Sequence, residues 1–302
     1  MRIAIVGGAG GVGASVAFNL LRMDAGHEVA VLDSQPHMIT SHVMDLEQTL
    51  LLGAGDTIRE GGDEDLNSAD VVILAAAVPL TVNTSRMVYL EDNASIVGGV
   101  LDRLDEGWGG VLLLVTNPVD PLGTWALRRS GIPRERLLGY TINDSLRLRS
   151  GIGKALGVDA RDVDAWCIGE HGDGAVPLWE RVTVNGEPVQ IGGRERADAE
   201  EFLRTWYVKH VALDSGRSST WTSGVGVARM AAALDSDEGE LWPASVALEG
   251  EYEIDGVCLS VPVTIARGGL REIHQWELGE AEREGMRRAA HFVSEAADSI
   301  GG

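Results

Sequence analysis

Cysteine is scarce in this chain of 302 residues, which holds only Cys167 and Cys258. Two cysteines cannot form the disulfide framework of a small secreted domain, so we expect a reducing, cytoplasmic location. The first residues run directly into an apolar strand pattern without a basic segment, and no export signal is predicted.

Long apolar runs are also missing. The longest, such as residues 71–80, are too short to cross a bilayer, and no membrane association is expected. Hydrophobic residues make up 44% of the chain, which is ordinary for a soluble globular protein. The length allows one large domain or two coupled ones, with ample core.

Positive charge is in short supply. The sequence has 46 acidic and 25 basic residues, for a formal charge of −21, and its only lysines are Lys154 and Lys209. Such a field repels phosphates and argues against binding to nucleic acids or anionic membranes. Nearly all basic residues are therefore arginine, and genome composition and salt adaptation both produce such a preference for arginine over lysine. An arginine that binds an anionic ligand must therefore act locally, against the global field.

Short apolar runs alternate with helical patterns over residues 1–142, which predicts a doubly wound parallel sheet. The predicted strands are 2–6, 28–33, 56–59, 70–76 and 111–116. The predicted helices are 11–23, 36–52, 89–104 and 120–130. The first, fourth and fifth strands are continuously apolar, as strands buried on both faces should be.

The second half changes to an α+β pattern, so we place a boundary at residue 142 between domains 1–142 and 143–302. The predicted helices are 143–156, 194–214, 224–234 and 279–300. The predicted strands are 163–168, 179–184, 188–191, 242–248 and 257–266. Asn185-Gly186 is a strong hairpin signal between the second and third of these strands.

A glycine-rich segment, Gly8-Ala9-Gly10-Gly11-Val12-Gly13, directly follows the first predicted strand and opens a helix. In a G-x-G-x-x-G loop the first glycine allows the tight turn and the second lets the backbone approach a pyrophosphate. The third glycine allows close packing of helix on strand, and the helix N-terminus faces the phosphates. The strand–loop–helix order makes this match stronger than a bare motif.

Asp33 ends the second predicted strand, about 20 residues after Gly13. A carboxylate there accepts hydrogen bonds from a ribose diol and repels a 2′-phosphate, which favours NAD over NADP. The alternative is a solvated loop carboxylate.

A histidine lies between two glycines in Cys167-Ile168-Gly169-Glu170-His171-Gly172-Asp173-Gly174, after an apolar run. Histidine is the usual residue for proton transfer near neutral pH. A polar hairpin with a solvated histidine is the simple alternative. Cys167 and His171 also suggest a metal pair, but no further ligand cluster accompanies them, and Cys167 is more typical of a small buried apolar residue.

Three further polar segments accompany the histidine. Thr116-Asn117-Pro118-Val119-Asp120 follows a buried strand, where α/β sheets place ligand contacts. Thr84-Ser85-Arg86 lies in a loop after Ala75-Ala76-Ala77. Asn143-Asp144-Ser145-Leu146-Arg147-Leu148-Arg149 opens a helix, with Asp144 and Arg147 on one face.

Together these segments resemble the L-lactate/malate dehydrogenase family, marked by a glycine loop, TNPVD, a D-x-x-R helix and GEHGD. The resemblance runs from about residue 2 to residue 297 and includes Val257-Cys258-Leu259-Ser260-Val261-Pro262 and Gly268-Gly269. It implies a Rossmann-type NAD domain followed by an α+β catalytic domain, acting on small 2-hydroxy and 2-oxo acids. It also implies a homodimer or homotetramer.

The resemblance assigns roles to individual residues. His171 would exchange a proton with the substrate carbonyl oxygen, Asp144 would orient its imidazole, and Arg147 would bind the substrate carboxylate bidentately. Arg86, on a closing loop that Thr84 and Ser85 would tune, would polarise the carbonyl. Asn117 would lie near the nicotinamide and the carbonyl, and Ala76 would contact the cofactor. The motif register selects Arg147 rather than Arg149.

The closing loop departs from the family pattern. Malate enzymes carry an arginine six residues before the loop arginine, and lactate enzymes typically carry glutamine; here Leu80 stands there. Ser219 occupies a pocket position where lactate enzymes have threonine, and Asn143 stands where an apolar residue is usual. Residues 75–85 hold no cation, so we expect a 2-oxo acid with a neutral, branched-chain or aromatic side chain.

Two alternatives remain at this level. Arg217, which precedes Trp221, is a candidate cation for the distal carboxylate of malate. A sensor or scaffold that binds NAD without catalysis is the alternative of another class. The complete set of Arg86, Asp144, Arg147 and His171 argues against it, because a decayed site is expected to lose at least one.

Overall fold

The computed structural model describes residues 1–53, 55–82 and 85–301. Six parallel strands form its N-terminal half, in the order β3-β2-β1-β4-β5-β6. They are β1 (Arg2–Val6), β2 (Glu28–Leu32), β3 (Thr57–Glu60), β4 (Val71–Leu74), β5 (Val111–Leu114) and β6 (Leu137–Tyr140). The chain order reverses beside β1, which is where open α/β sheets bind ligands.

Helices cover both faces of this sheet. They are α1 (Gly11–Met23), α2 (Pro36–Leu50), α3 (Asp63–Ser68), α4 (Leu90–Leu101) and α5 (Val119–Ser130). A short 3₁₀ helix, Arg86–Tyr89, leads into α4. The predicted doubly wound sheet is confirmed, and the continuously apolar strands β4 and β5 are buried along their whole length.

The second half extends the same sheet with antiparallel strands. Its helices are α6 (Asn143–Leu156), α7 (Gly193–Val211), α8 (Thr220–Ala233) and α9 (Glu280–Asp298). Its strands are β7 (Val163–Asp164), β8 (Cys167–Gly169), β9 (Ala175–Pro177), β10 (Thr183–Val184), β11 (Glu187–Pro188), β12 (Glu240–Glu249), β13 (Asp255–Ala266) and β14 (Gly269–Ile273). Strand β12 joins β6, and the sheet continues through β13, β8 and β9. The α+β prediction is confirmed, while the division at residue 142 stays a prediction.

Two predicted strands of the second half are largely wrong. Residues Trp179–Arg181 form a 3₁₀ helix, because the Trp179 ring turns inward to a buried position, and only Thr183–Val184 is strand. The partner strand is Glu187–Pro188 rather than 188–191, since proline cannot donate to a longer ladder. The turn between them, with positive φ at Asn185 and Gly186, is the predicted hairpin.

Several short elements were not predicted. Strands β6, β9 and β14 and helix α3 lack a strong periodic signal, and α8 begins at Thr220 rather than at residue 224. Strand β6 matters most for the site, because it leads directly into α6 and joins the two halves of the sheet.

The core lies on both faces of the sheet. Side chains that alternate along β1 reach opposite clusters: Ile3 and Ile5 join one that includes α1 and α8, while Ala4 joins another with α4 and α5. A third cluster packs α6 against β7 and β8. Within the described residues, no helix is long and apolar enough to span a bilayer.

Candidate active site

A cavity of about 1040 Å³ opens at the carboxyl ends of β1, β4 and β5. It runs from Asp33, at the end of β2, to His171, just after β8, and residues of α7 and of the segment before α8 also line it. The volume suits a ligand larger than a small acid alone.

The tight turn after β1 falls at Gly7, one residue before the position that the motif register assigned to it. Gly7 has φ +93°, and a Cβ there would lie 2.3 Å from the Ala76 backbone nitrogen. Gly8 serves a different purpose, because a Cβ there would lie 1.9 Å from Val31 Cγ1 on β2. Both backbone N–H groups donate to Leu32 O. The sequence shows glycine at both positions after the strand and does not indicate which of them takes the positive φ.

The remaining glycines bring helix α1 against the cavity. Gly10, Gly11 and Val12 line it, and α1 begins at Gly11 with its N-terminus facing the open space. A Cβ on Gly13 would lie 2.2 Å from Gly7 O, so only glycine allows this approach of helix to turn. Backbone N–H groups at this edge are therefore open to an anionic group.

Asp33 is fixed by the backbone of the same loop. Its Oδ2 accepts a hydrogen bond from Ala9 N at 3.0 Å, and its Oδ1 accepts one from Gln35 N at 3.1 Å. The carboxylate lines the cavity at the end of β2, which is where a ribose diol lies in dinucleotide folds.

The middle of the cavity is formed by the ends of β4 and β5. Ala76 lines it and accepts a hydrogen bond through its carbonyl from Thr116 Oγ1 at 2.8 Å. Asn117, which precedes Pro118 through a cis peptide bond, also lines it. The Asn117 Oδ1 atom is buried and has no hydrogen-bond partner among the described residues, so it can accept a hydrogen bond from a donor such as the NH₂ of a bound carboxamide.

Asn93, on α4, connects the start of the closing loop to this turn. Its Oδ1 accepts a hydrogen bond from Val78 N at 2.8 Å, and its Nδ2 donates to Asn117 O at 2.7 Å. At the other end of the loop, Thr81 N donates to the Tyr89 hydroxyl at 2.9 Å. Sequence reasoning missed Asn93, since a lone asparagine within a helix carries no motif.

His171 is buried and paired on its inner side. Its Nδ1 lies 2.6 Å from Asp144 Oδ2, and its backbone N–H donates to Asp120 Oδ2 at 2.6 Å. Burial lowers the pKa of His171 below its usual 6.5, with the nearby arginines adding to that effect, while Asp144 opposes it. The ring therefore has a fixed orientation and a pKa that depends on Asp144.

Helix α6 places Asp144 and Arg147 on one face, as the i, i+3 spacing predicts. Arg147 Nη1 donates to Asp144 Oδ1 at 2.9 Å. Burial opposes the charge on Asp144, but His171 and Arg147 hold the pKa of that carboxyl at about 2. Arg149 instead contacts Ala165 O and Asp164, and it does not line the cavity.

Two further carboxyl groups lie behind His171. Burial, followed by repulsion from Glu170, raises the pKa of Asp120 to about 8. Burial raises the pKa of Glu170 to about 7, although its Oε2 accepts a hydrogen bond from Gly174 N at 2.7 Å. Both residues stand in the motifs quoted above, but the sequence gives no sign that Asp120 reaches the histidine backbone.

Arg86, at the end of the closing loop, also contacts His171. Its Nη1 donates to His171 O at 3.0 Å, and its guanidinium lies 4.4 Å from the centre of the Tyr207 ring. Arg147 has an equivalent neighbour, since its guanidinium lies 4.3 Å from the Trp206 ring centre. Sequence reasoning missed both aromatic residues, which lie on α7 without a motif.

The residues expected to select the substrate line the same cavity. Leu80 lies half-buried in the closing loop, and Ser219 precedes α8. Arg217 also lines the cavity, with its guanidinium 4.6 Å from the centre of the exposed Trp221 ring. Thr84, predicted to tune the loop, lies outside the described residues.

No group of three or more histidine, cysteine, aspartate or glutamate side chains suited to a metal occurs in the described ranges.

Comparison with known proteins agrees with this geometry. The family model for the lactate/malate dehydrogenase NAD binding domain matches residues 1–139, and that for the alpha/beta C-terminal domain matches residues 141–299. The chain is 31% identical to a malate dehydrogenase of Haloarcula marismortui, covering 99% of both chains. It is 30% identical to L-lactate dehydrogenase 1 of Enterococcus faecalis, covering 98% of this chain and 93% of the relative.

Solved structures are similar over the whole chain. The malate dehydrogenase from Aeropyrum pernix superposes with a TM-score of 0.92 at 26% identity, covering 99% of this chain and 98% of that one. The malate dehydrogenase from Salinibacter ruber has a TM-score of 0.88 at 30% identity, covering 99% and 97%. With its glycine-rich loop and the His171–Asp144 pair, the chain belongs to the lactate/malate dehydrogenase family and is an NAD-dependent 2-hydroxyacid dehydrogenase.

Proposed function

We propose that this enzyme interconverts an L-2-hydroxy acid and the corresponding 2-oxo acid whose side chain is neutral. The observation that carries the neutral side chain is Leu80, which stands where a malate enzyme needs a cation. The described part of the closing loop, residues 75–82 and 85, contains no lysine or arginine. A carboxylate buried against it unpaired would cost several kcal/mol, or roughly 10² to 10⁴ in specificity.

Arg147 is the proposed carboxylate ligand of the substrate. It is buried, lines the cavity and uses one nitrogen, Nη1, on Asp144. The remaining guanidinium N–H groups match the two oxygens of a carboxylate in a way that lysine cannot copy.

His171 is the proposed proton donor during reduction and the base during oxidation. Asp144 occupies Nδ1, so the exchangeable proton is on Nε2. NAD, when bound, accepts or supplies the hydride. Arg86, close to His171, would polarise the substrate carbonyl, and Asn117 would hold the carbonyl and the nicotinamide in register.

The cofactor half of the cavity has equally specific roles in this proposal. Gly10, Gly11 and Val12 would receive the pyrophosphate at the N-terminus of α1. Gly8 and Gly13 would keep the loop and the helix packed, and Ala76 would contact the nicotinamide side. Asp33 would bind the adenosine ribose and favour NAD over NADP.

The substrate class is tested by comparing kcat/KM with NADH for oxaloacetate, pyruvate, 2-oxoisocaproate and phenylpyruvate. We expect one of the three neutral acids to exceed oxaloacetate by at least about tenfold. An advantage of about tenfold or more for oxaloacetate would overturn the neutral side chain while leaving the reaction type intact.

A second candidate, malate dehydrogenation with Arg217 as the distal cation, rests on the position of that residue. Arg217 lines the cavity near Ser219 and has no carboxylate partner within the described ranges. In that case Arg217→Gln lowers kcat/KM for oxaloacetate by about tenfold or more and leaves pyruvate unchanged. Arg229→Gln, on α8 outside the cavity, is the matched control.

The proposed assembly rests on apolar side chains at the surface. Exposed apolar side chains on α2 (Met38, Met44) and α8 (Trp221, Val225) support a homodimer or homotetramer. Light scattering coupled to size exclusion would report the mass, and a monomer would contradict this proposal. A cytoplasmic location and a boundary at residue 142 also stay predictions.

A further inference from the structure

Helix α7 lies close against α6, the helix that carries Asp144 and Arg147. A Cβ on Gly151 of α6 would lie 3.0 Å from Ala199 O of α7, so the two backbones nearly touch. This approach brings the next turns of α7 over the substrate end of the cavity, which Trp206 and Tyr207 line.

These two consecutive aromatic residues each face a different arginine. Trp206 lies against Arg147 of α6, with the guanidinium carbon 4.3 Å from the ring centre. Tyr207 lies against Arg86 of the closing loop, at 4.4 Å. A guanidinium within about 6 Å of a ring face is attracted to it, and the attraction grows when water is excluded.

Trp206 is itself held in place. Its ring stacks on His210 one turn further along α7, with ring centres 5.0 Å apart and an interplanar angle of 11°. His210 Nε2 in turn lies 3.0 Å from Arg217 O. The indole is therefore a fixed surface rather than a mobile cover.

Each arginine has only one hydrogen bond to the described residues. Arg147 uses Nη1 on Asp144, and Arg86 uses Nη1 on the carbonyl of His171. One hydrogen bond does not fix a guanidinium plane, because the group can still rotate about that contact. The ring face supplies the missing restraint and leaves the other N–H groups free for a ligand.

We propose that Trp206 and Tyr207 are positioning residues for the two substrate-facing arginines, Trp206 for Arg147 and Tyr207 for Arg86. This inference rests on the proposed roles of those arginines. It goes beyond them by assigning the orientation of each guanidinium to a separate residue of one helix.

The two residues should affect different kinetic constants. Arg147 binds a carboxylate that is present in both the ground state and the transition state, so losing its orientation raises KM and changes kcat little. Arg86 stabilises charge that develops on the carbonyl oxygen, so losing its orientation lowers kcat. A merely structural role for α7 would not separate the effects in this way.

The experiment measures kcat and KM for the best 2-oxo acid of the panel, at saturating NADH, in Trp206→Leu and Tyr207→Leu. We expect KM to rise about tenfold in the first and kcat to fall about tenfold in the second. Trp206→Phe and Tyr207→Phe retain a ring face and should restore most of each loss. If a leucine variant does not fold, the corresponding methionine variant replaces it.

Phe202→Leu is the matched control. Phe202 lies one turn before Trp206 on the same helix and also faces a cation, with Lys154 Nζ 4.1 Å from its ring centre. It does not line the cavity, so both constants should stay within about twofold of wild type. Equal losses in all three leucine variants, or unchanged constants in the two site variants, would overturn the inference. An inactive wild type would instead contradict the proposed function.

Discussion

The two ends of the cavity differ in what forms them: closely packed backbone at one end and charged side chains at the other. At the end proposed for the cofactor, Gly7 lies against the backbone of Ala75 and Ala76, and Gly13 of α1 lies against Gly7 O, so closely that any side chain would collide. At the end proposed for the substrate, α6 and the turn after β8 contribute charged side chains that are buried, while Arg86, at the end of the closing loop, is half-buried. The first end is sensitive to the addition of atoms, and the second is sensitive to their removal or neutralisation.

The largest expected effect belongs to the substrate end. His171→Asn should lower kcat by about 10³, because the only proposed proton donor is lost, while the Kd for NADH stays near the wild-type value. Stopped-flow turnover and NADH fluorescence titration measure the two quantities. His291→Asn, on the exposed face of α9, is the control. A comparable loss of NADH binding would mean that the two ends are not separable.

At the cofactor end, one added methyl group should act strongly. Gly7→Ala places a Cβ 2.3 Å from Ala76 N at a φ of +93°, so the free energy of unfolding should fall by about 3 kcal/mol or more. Gly131→Ala, with φ +66° and open space around the Cβ, should cost only about 1 kcal/mol. Denaturant titration compares them. Equal costs would show that steric crowding does not distinguish this end of the cavity.

A charge at the cofactor end should matter for selectivity rather than for catalysis. Asp33→Asn removes the charge that repels a 2′-phosphate and retains an oxygen that accepts from Ala9 N. The ratio of kcat/KM for NADPH to that for NADH should rise roughly tenfold. Asp45→Asn on α2, outside the cavity, removes the same charge and should leave the ratio unchanged.

The smallest expected effect concerns the buried carboxyl groups behind His171. The folded-state pKa of Asp120, about 8, lies above its ordinary 3.8. The folded protein therefore binds this proton more tightly than the unfolded chain does, and protonation stabilises the fold at low pH. This contribution is lost as the pH rises through 8. Wild type should therefore lose about 1 kcal/mol more stability between pH 7 and pH 8 than Asp120→Asn does.

Urea titrations at the two pH values measure this difference. Asp159→Asn, an exposed carboxylate paired with Arg161, should follow the wild-type dependence over the same range. Parallel curves for wild type and Asp120→Asn would mean that Asp120 stays ionised in the fold.

The difference between the two ends also explains what the sequence reveals. Close backbone approaches require glycine in a fixed order, so the loop at residues 8–13 and the helix that it opens can be predicted from the sequence alone. His171, Asp144 and Arg147 can be predicted because each occupies a fixed position in a recognisable motif. Trp206 and Tyr207 reach the site through the packing of α7 on α6, which leaves no local pattern.

Short elements are also determined by contacts with distant residues, which leave no local sequence pattern. Strand β6 is stabilised by its place between β5 and β12 rather than by its own composition. The Trp179 segment satisfies a strand pattern locally, but burial of its ring favours a 3₁₀ turn. The exact turn residue, Gly7 instead of Gly8, depends on the backbone φ, which two adjacent glycines leave undecided.

The anchoring of the closing loop has a practical consequence for engineering. Asn93 holds the loop at Val78, and Tyr89 holds it at Thr81, so both attachments lie in or beside α4. Pro79 and Leu80, which lie between the two attachments, therefore form an exchangeable cassette with a fixed frame. A library limited to that cassette should explore substrate preference without changing the proposed proton-transfer pair or the glycine-rich loop.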